Sequence, residues 1–222
     1  FLIRIGHNRY IHYFLPRRSS DLLARDGHEV AFVARGAQLA AMRRDGLRVL
    51  SPLGDIHLER PKASDDPRQL GEADCVIVAV KSWQVGEAAR AMAPLVGAQT
   101  AVLPFLNGVE AADQLAAVLG AERVLGGLSK VFSLIEAPGV IRHASPGAYV
   151  ELGELDGARS ARTRALCEAF ASAGVEAVQS GDIRAALWKK LVTVSSWAGL
   201  GALARSPMGE LRKYPETRAM ID

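Results

Sequence analysis

Three short apolar runs, each closed by a polar residue, constrain this chain more than any other feature. They are EVAFVARG, with Arg35 at its end, CVIVAVK, closed by Lys81, and AVLPFLNG, closed by Asn107 and Gly108. A strand buried on both faces reads as a near-continuous apolar stretch, and such strands belong to parallel sheets covered by helices. Helix-like segments at residues 37–44, 83–95 and 110–119 follow the three runs. Strand and helix alternating at this spacing imply a parallel sheet with right-handed crossovers. The expected fold class is therefore α/β, a doubly wound parallel sheet. Ligands enter such a sheet at the carboxyl ends of its strands, so Arg35, Lys81 and Asn107 are all delivered to one edge.

The flanking elements follow from local signals. Residues 2–5 read as a first strand, residues 21–25 as the end of a helix stopped by Gly27, and residues 28–34 as the second strand. Residues 47–58 alternate around Pro52, Leu53, Gly54 and Asp55 as a hairpin, and ERPKASDDPRQ reads as a surface loop. From Val124 onward, strand-like runs broken at Pro138-Gly139 and Pro146-Gly147 predict antiparallel hairpins at the sheet edge. A helix at 159–173, a strand at 175–179 and a long helix from Ile183 complete the chain. In that last helix Ile183, Leu187, Leu191 and Val194 form an apolar stripe. The expected boundary falls near Ser180, Gly181 and Asp182: residues 1–179 form a nucleotide-binding domain, and residues 180–222 open an all-helical second domain. Beginning with Phe1 and ending soon after a new helix-like segment, the 222 residues read as part of a longer protein.

Composition removes several function classes. A formal charge of +3, with arginines scattered rather than striped, leaves no nucleic-acid footprint. No apolar stretch reaches transmembrane length. Cys75 and Cys167 lack a CxxC pattern or a histidine cluster, so they read as buried thiols; no metal site is expected, and a reducing cytoplasm is the simplest setting.

Two positions carry chemistry of their own. The residue ending the second strand of a dinucleotide-binding sheet meets the adenosine ribose; an acid there suits the 2′-hydroxyl of NAD, whereas arginine suits the 2′-phosphate of NADP. Arg35 occupies that point, with no acid before Asp45. Lys190, in LWKKL, could supply the proton that ketone reduction requires. The apolar stripe sets Lys190 beside the buried helix face and Lys189 toward solvent, so the two are not expected to share a cleft.

Taken in order, GHEVAFVARG, VIVAVKSWQ, LPFLNGVE, DIRAALWKKL and SPMGEL resemble the ketopantoate reductase (2-dehydropantoate 2-reductase) family over residues 27–210. The resemblance implies a Rossmann-type domain and reduction of 2-dehydropantoate to (R)-pantoate in pantothenate biosynthesis. It implies NADP as cofactor, held by Arg35, Lys81 and Asn107. Lys190 would be the catalytic proton donor and, with Asn107, would bind a small 2-oxoacid substrate. No nucleic-acid or membrane partner is implied, and homodimerisation is left open.

The chain departs from the family pattern in three places. The first strand-to-helix turn, IGHNRYIHYFLPRRSS, has no G-x-G-x-x-G; only Gly6 could stand for its first glycine, and Tyr10, Tyr13, Phe14 and Pro16 are at variance with such a turn. Val194 and Ala198 stand where the family carries asparagines one and two turns past the lysine. The family's distal helices, which add a Ser and a Glu to the pocket, fall beyond Asp222. Two alternatives follow: another NADP-dependent 2-oxoacid or opine-type reductase, or a catalytically silent remnant of the fold.

Overall fold

The structure, a computed structural model, describes residues 9–13 and 18–220. Its centre is a five-stranded, all-parallel sheet built from β1 (Arg9–Tyr13), β2 (Glu29–Val33), β5 (Lys62–Ser64), β6 (Cys75–Val78) and β7 (Ala101–Pro104). The strand order β5-β2-β1-β6-β7 reverses direction at β1. That is the doubly wound Rossmann-type arrangement, whose ligand crevice lies at the reversal.

Period-two alternation explains how the Val-rich runs fill two cores at once. Phe32, Cys75, Ile77, Ala101 and Leu103 face one cluster, with Phe105 and Phe170 ring to ring at 5.9 Å. Ala31, Val33, Val76, Val78 and Val102 face the other, against Val85, Ala89 and Met92 of α3 (Val85–Met92) and Leu115 of α4 (Ala111–Leu119). Helices α1 (Arg18–Arg25), α2 (Gly36–Asp45) and α5 (Ala161–Ser172) join the first cluster through Leu22, Leu23, Leu39, Met42 and Leu166. Gly27, at φ +93°, supplies the left-handed turn that ends α1.

The hairpin expected at residues 47–58 is present as antiparallel β3 (Leu47–Leu50) and β4 (Ile56–Leu58). Other expectations need correction. The first strand expected at residues 2–5 lies outside the described residues; the strand seated between β2 and β6 is Arg9–Tyr13, so Tyr10 and Tyr13 belong to a strand and not to the turn after it. ERPKASDDPRQ is not all loop, because Lys62–Ser64 adds an edge strand to β2. An edge strand needs only one row of hydrogen bonds and tolerates charge; here Lys62 pairs with Glu29 at 3.4 Å.

The later hairpins also divide differently. β9 (Ser133–Ala137) and β10 (Val140–His143) join β3 and β4 in a separate four-stranded sheet. β8 (Gly126–Lys130) and β11 (Tyr149–Gly153) pair antiparallel, with β12 (Glu176–Gln179) beside β11. This third sheet meets the central one through a bridge from Val124 to Val102. Two glycines allow the approach. A Cβ on Gly127 would lie 2.5 Å from Leu103 Cδ1, and one on Gly126 would lie 2.6 Å from Ile183 Cγ2.

Ile183 begins α6 (Ile183–Ala204), which Asp182 caps by accepting from the Ala185 N–H at 3.0 Å. Of the expected stripe, only Ile183 and Leu187 are buried, against Leu128 of β8. Leu191 and Val194 stay half-exposed. Short helices α7 (Met208–Leu211) and α8 (Pro215–Ala219) follow. No described helix is long and apolar enough to cross a membrane.

Candidate active site

Three strands of the central sheet, β2, β6 and β7, each hand a polar residue to the same carboxyl edge. Arg35 follows β2 and stands at the N-cap of α2 in extended conformation; its guanidinium is half-exposed and lies 3.4 Å from Glu87 in the first turn of α3. Lys81 follows β6, and its backbone N–H donates to Gln84 Oε1 at 3.2 Å, while Gln84 N–H donates back to the Lys81 carbonyl at 2.9 Å. Asn107 follows β7 and is exposed; Gly108 next to it takes φ +103°, the left-handed region that lets the chain turn away.

Lys81 and Asn107 line a cleft of about 1350 Å³ that is also lined by α6. Lys190 lines it too, with its Nζ donating to the Ser129 carbonyl at 3.0 Å. That bond ties the ammonium of α6 to strand β8. Lys189 borders the same cleft, against the expectation that the two neighbours could not share one; the opening is wide enough to take both, although Lys189 is exposed and Lys190 half-buried. Arg35 is not among the lining residues and sits on the adjoining strand end.

The remaining walls gave no clear sign in the sequence. Val131, Phe132, Leu134 and Ile135 form one side, and Glu151 and Asp182 contribute carboxylates. Glu151 is held by two donors, Ser180 Oγ at 2.7 Å and the Tyr149 hydroxyl at 3.0 Å. Burial, reinforced by the bond to Glu151, pushes the Tyr149 phenol up to about 12, so it stays protonated and keeps donating. The Lys130 ammonium lies 4.6 Å from the Tyr149 ring centre. At the rim, the buried His143 bridges Ser51 Oγ at 3.0 Å and Ser145 Oγ at 2.7 Å, fixing the turn that carries Ser145 and Pro146.

Cysteine plays no part here. Burial pushes both thiols up, Cys167 to about 11 and Cys75 higher, so neither is a ready nucleophile. Among the described residues no His, Cys, Asp and Glu cluster could hold a metal ion.

The family model described as ketopantoate reductase PanE/ApbA matches residues 20–157. The chain belongs to the ketopantoate reductase family. A 2-dehydropantoate 2-reductase of Halobacterium salinarum is 34% identical over 202 residues, covering 88% of this chain and 65% of that protein. An uncharacterized oxidoreductase of Bacillus subtilis, YkpB, is 32% identical over 189 residues, covering 85% of this chain and 62% of its own length. The chain thus spans less than two thirds of these relatives. Among solved structures, 2-dehydropantoate 2-reductase from Geobacter metallireducens GS-15 superposes with a TM-score of 0.90 at 29% identity, over 96% of this chain and 71% of that one. A D-mandelate dehydrogenase solved with NADH and anilino(oxo)acetate superposes at 0.87, but at 20% identity that likeness speaks for the fold alone.

The fit of a ketopantoate reductase cofactor to these residues is uneven. The Arg35 guanidinium, half-exposed at the end of β2, suits an adenosine 2′-phosphate. Lys81 and Asn107 suit the polar groups of a dinucleotide crossing the sheet edge. The pyrophosphate end fits poorly. The connection from β1 to α1 consists of Phe14, Leu15, Pro16 and Arg17, which lie outside the described residues and include no glycine. A glycine turn there normally lets the backbone approach the phosphates.

Proposed function

We propose that this protein reduces the ketone of a 2-oxoacid with NADPH, as in the conversion of 2-dehydropantoate to (R)-pantoate. Residues 1–179 would serve as the dinucleotide-binding domain, and residues 180–222 would open the helical substrate domain. The setting is the cytoplasm, where free Cys75 and Cys167 suit a reducing milieu. The observation that carries this proposal is the meeting of Lys81, Asn107 and Lys190, from three distant parts of the chain, around one cleft. Four lysines border that cleft (Lys81, Lys130, Lys189 and Lys190) against the two acids Glu151 and Asp182. The excess of positive charge favours carboxylate and phosphate ligands.

The roles divide along the sheet edge. Arg35 binds the 2′-phosphate, and Lys81 and Asn107 orient the dinucleotide and the substrate carbonyl. Hydride for the carbonyl carbon comes from the reduced nicotinamide when it is bound. As the new C–H bond forms, the C=O π pair moves onto oxygen, and Lys190 donates a proton to that oxygen, completing the alcohol. Lys190 then regains its proton from solvent. In the ground state the same ammonium attracts the substrate carboxylate.

The glycine-free connection at residues 14–17 favours a second reading, a folded remnant that binds no cofactor. Titration with NADPH, followed by tryptophan fluorescence and thermal shift, separates the two. Saturable binding that Arg35→Ala weakens, followed by NADPH-dependent turnover of a 2-oxoacid, is the expected result. A chain that shows no NADPH binding at any attainable concentration is the remnant.

A further inference from the structure

Beyond Lys190, the residues of α6 that line the cleft are Thr193, Val194 and Trp197. They lie three, four and seven positions on, the spacing of one helix face. Phe132, Leu134 and Ile135 line the same cleft. These are large apolar side chains left open, Phe132 at 66% and Ile135 at 46% exposure, with Trp197 at 39%. The Trp197 indole is braced by Arg212, whose guanidinium lies 5.2 Å from the ring centre. Open apolar groups gathered around one cleft mark a binding surface.

The hydroxyl of the α6 wall is already committed, Thr193 Oγ1 donating to the Lys189 carbonyl at 3.0 Å. Ser195 and Ser196, which do not line the cleft, likewise donate to the Leu191 and Val192 carbonyls, at 2.7 Å and 2.9 Å. At the rim, Ser145 Oγ donates to the Gly147 carbonyl at 2.9 Å. Each hydroxyl has one hydrogen to give. Past Lys190, then, the described α6 wall keeps one side-chain donor, the Trp197 indole N–H, and is otherwise carbon or committed hydroxyl.

We infer that the substrate is a 2-oxoacid with a bulky apolar side chain that carries no hydroxyl. The carboxylate and ketone lie at Lys190, and the side chain rests on Val194, Trp197, Phe132 and Ile135. This inference rests on the reductase activity proposed above and narrows its substrate class. A hydroxyl placed against Val194, Phe132 or Ile135 leaves water and meets only carbon. Apolar pockets reject an added hydroxyl by up to about a hundredfold, rarely more.

The test compares 3-methyl-2-oxobutanoate and phenylglyoxylate with 2-dehydropantoate, which carries a hydroxyl. Both kcat/KM with NADPH and, independently of turnover, calorimetric affinity are measured. The apolar acids are expected to be preferred by about 10- to 100-fold. Val194→Asn, which adds an amide donor at a half-exposed position, should shift that ratio at least several-fold toward 2-dehydropantoate, with the fold checked by circular dichroism. If 2-dehydropantoate is preferred by the native protein, or if Val194→Asn leaves the ratio unchanged, the inference falls while the reductase activity stands. If none of the three acids is bound or reduced, the reductase proposal falls with it.

Discussion

Lys189 and Lys190 offer an internal control, because both border the cleft and both carry the same charge, yet only Lys190 is tied into the wall. On the proposed role of Lys190, its replacement by alanine should remove two effects. The first is attraction for the substrate carboxylate. Opposite charges about 4 Å apart interact by about 1 kcal/mol in water and about 4 kcal/mol at an effective dielectric near 20. The half-buried position of Lys190 falls between these limits, at about 2 kcal/mol, or roughly thirtyfold in affinity. The second is proton donation, which a positioned general acid supplies at about 10²–10⁴ in rate. Calorimetry with oxamate, an unreactive 2-oxoacid mimic, isolates the first effect, and single-turnover kinetics with NADPH isolates the second. Fold stability should drop by only about 1 kcal/mol, the scale of the lost bond to the Ser129 carbonyl. Lys189→Ala, at an exposed site, should change stability by no more than about 0.5 kcal/mol and leave both other measurements nearly intact. An essential Lys189 beside a dispensable Lys190 would refute the assignment and show that the helical phase has been taken one residue out.

Arg35→Ala should weaken NADPH by about 1–3 kcal/mol and spare NADH, as loss of a charge-assisted contact to the 2′-phosphate requires; equal losses in parallel titrations would contradict the role. Replacing residues 1–20 with a strand and a G-x-G-x-x-G turn should raise NADPH affinity at least tenfold, about 1.4 kcal/mol, and a native chain that already binds at micromolar concentration would sink this account of the turn. Gly126→Ala sets a methyl 2.6 Å from Ile183 at the root of α6 and should cost about 1–3 kcal/mol in chemical denaturation, with Lys190-dependent turnover reduced; a neutral variant would mean that α6 shifts freely. Burial alone would push the Glu154 carboxyl up, but Arg162, donating at 2.8 Å and 2.6 Å, and Ser160, at 2.6 Å, hold it below its ordinary value. A carboxyl lowered in the folded state adds stability above its unfolded pKa, and that stability is lost as pH falls through the folded value. Removing the guanidinium in Arg162→Leu leaves burial dominant, so the fall in urea stability between about pH 5 and pH 3 should flatten or reverse; an unchanged slope would contradict the pairing.

The sequence showed the sheet's buried strands plainly because Cys75–Val78 and Ala101–Pro104 are buried on both faces and nothing polar interrupts them. The sheet edge was legible for the same reason, since Arg35, Lys81 and Asn107 stand at sharp changes from apolar to polar. β1 was not. Arg-Tyr-Ile-His-Tyr lacks the apolar run of a central parallel strand, and only its tyrosines and isoleucine favour extended backbone. β5 was missed because an edge strand carrying Lys62 has the composition of a loop. Phe132, Leu134 and Ile135 sit in a run that reads only as hairpin strand, and nothing local to it shows that the fold leaves them exposed. The Ser51–His143–Ser145 chain had no local signature, because Ser51 and His143 lie 92 positions apart.

The anchoring of α6 bears on how such a protein could change over generations. Ile183 and Leu187 are the buried side chains of the helix, and Lys190 adds a bond to the Ser129 carbonyl, while the positions from Lys190 onward in α6 are half-exposed or exposed. Substitutions at such lightly packed sites usually shift stability by no more than about 0.5 kcal/mol. The wall that meets the substrate's side chain is therefore among the least constrained parts of the fold. The strand ends carrying Lys81 and Asn107 emerge from fully buried β6 and β7 and tolerate far less alteration. A lineage built this way can keep one reaction while drifting among substrates, trying new residues at Val194 or Trp197 without endangering the fold that presents them.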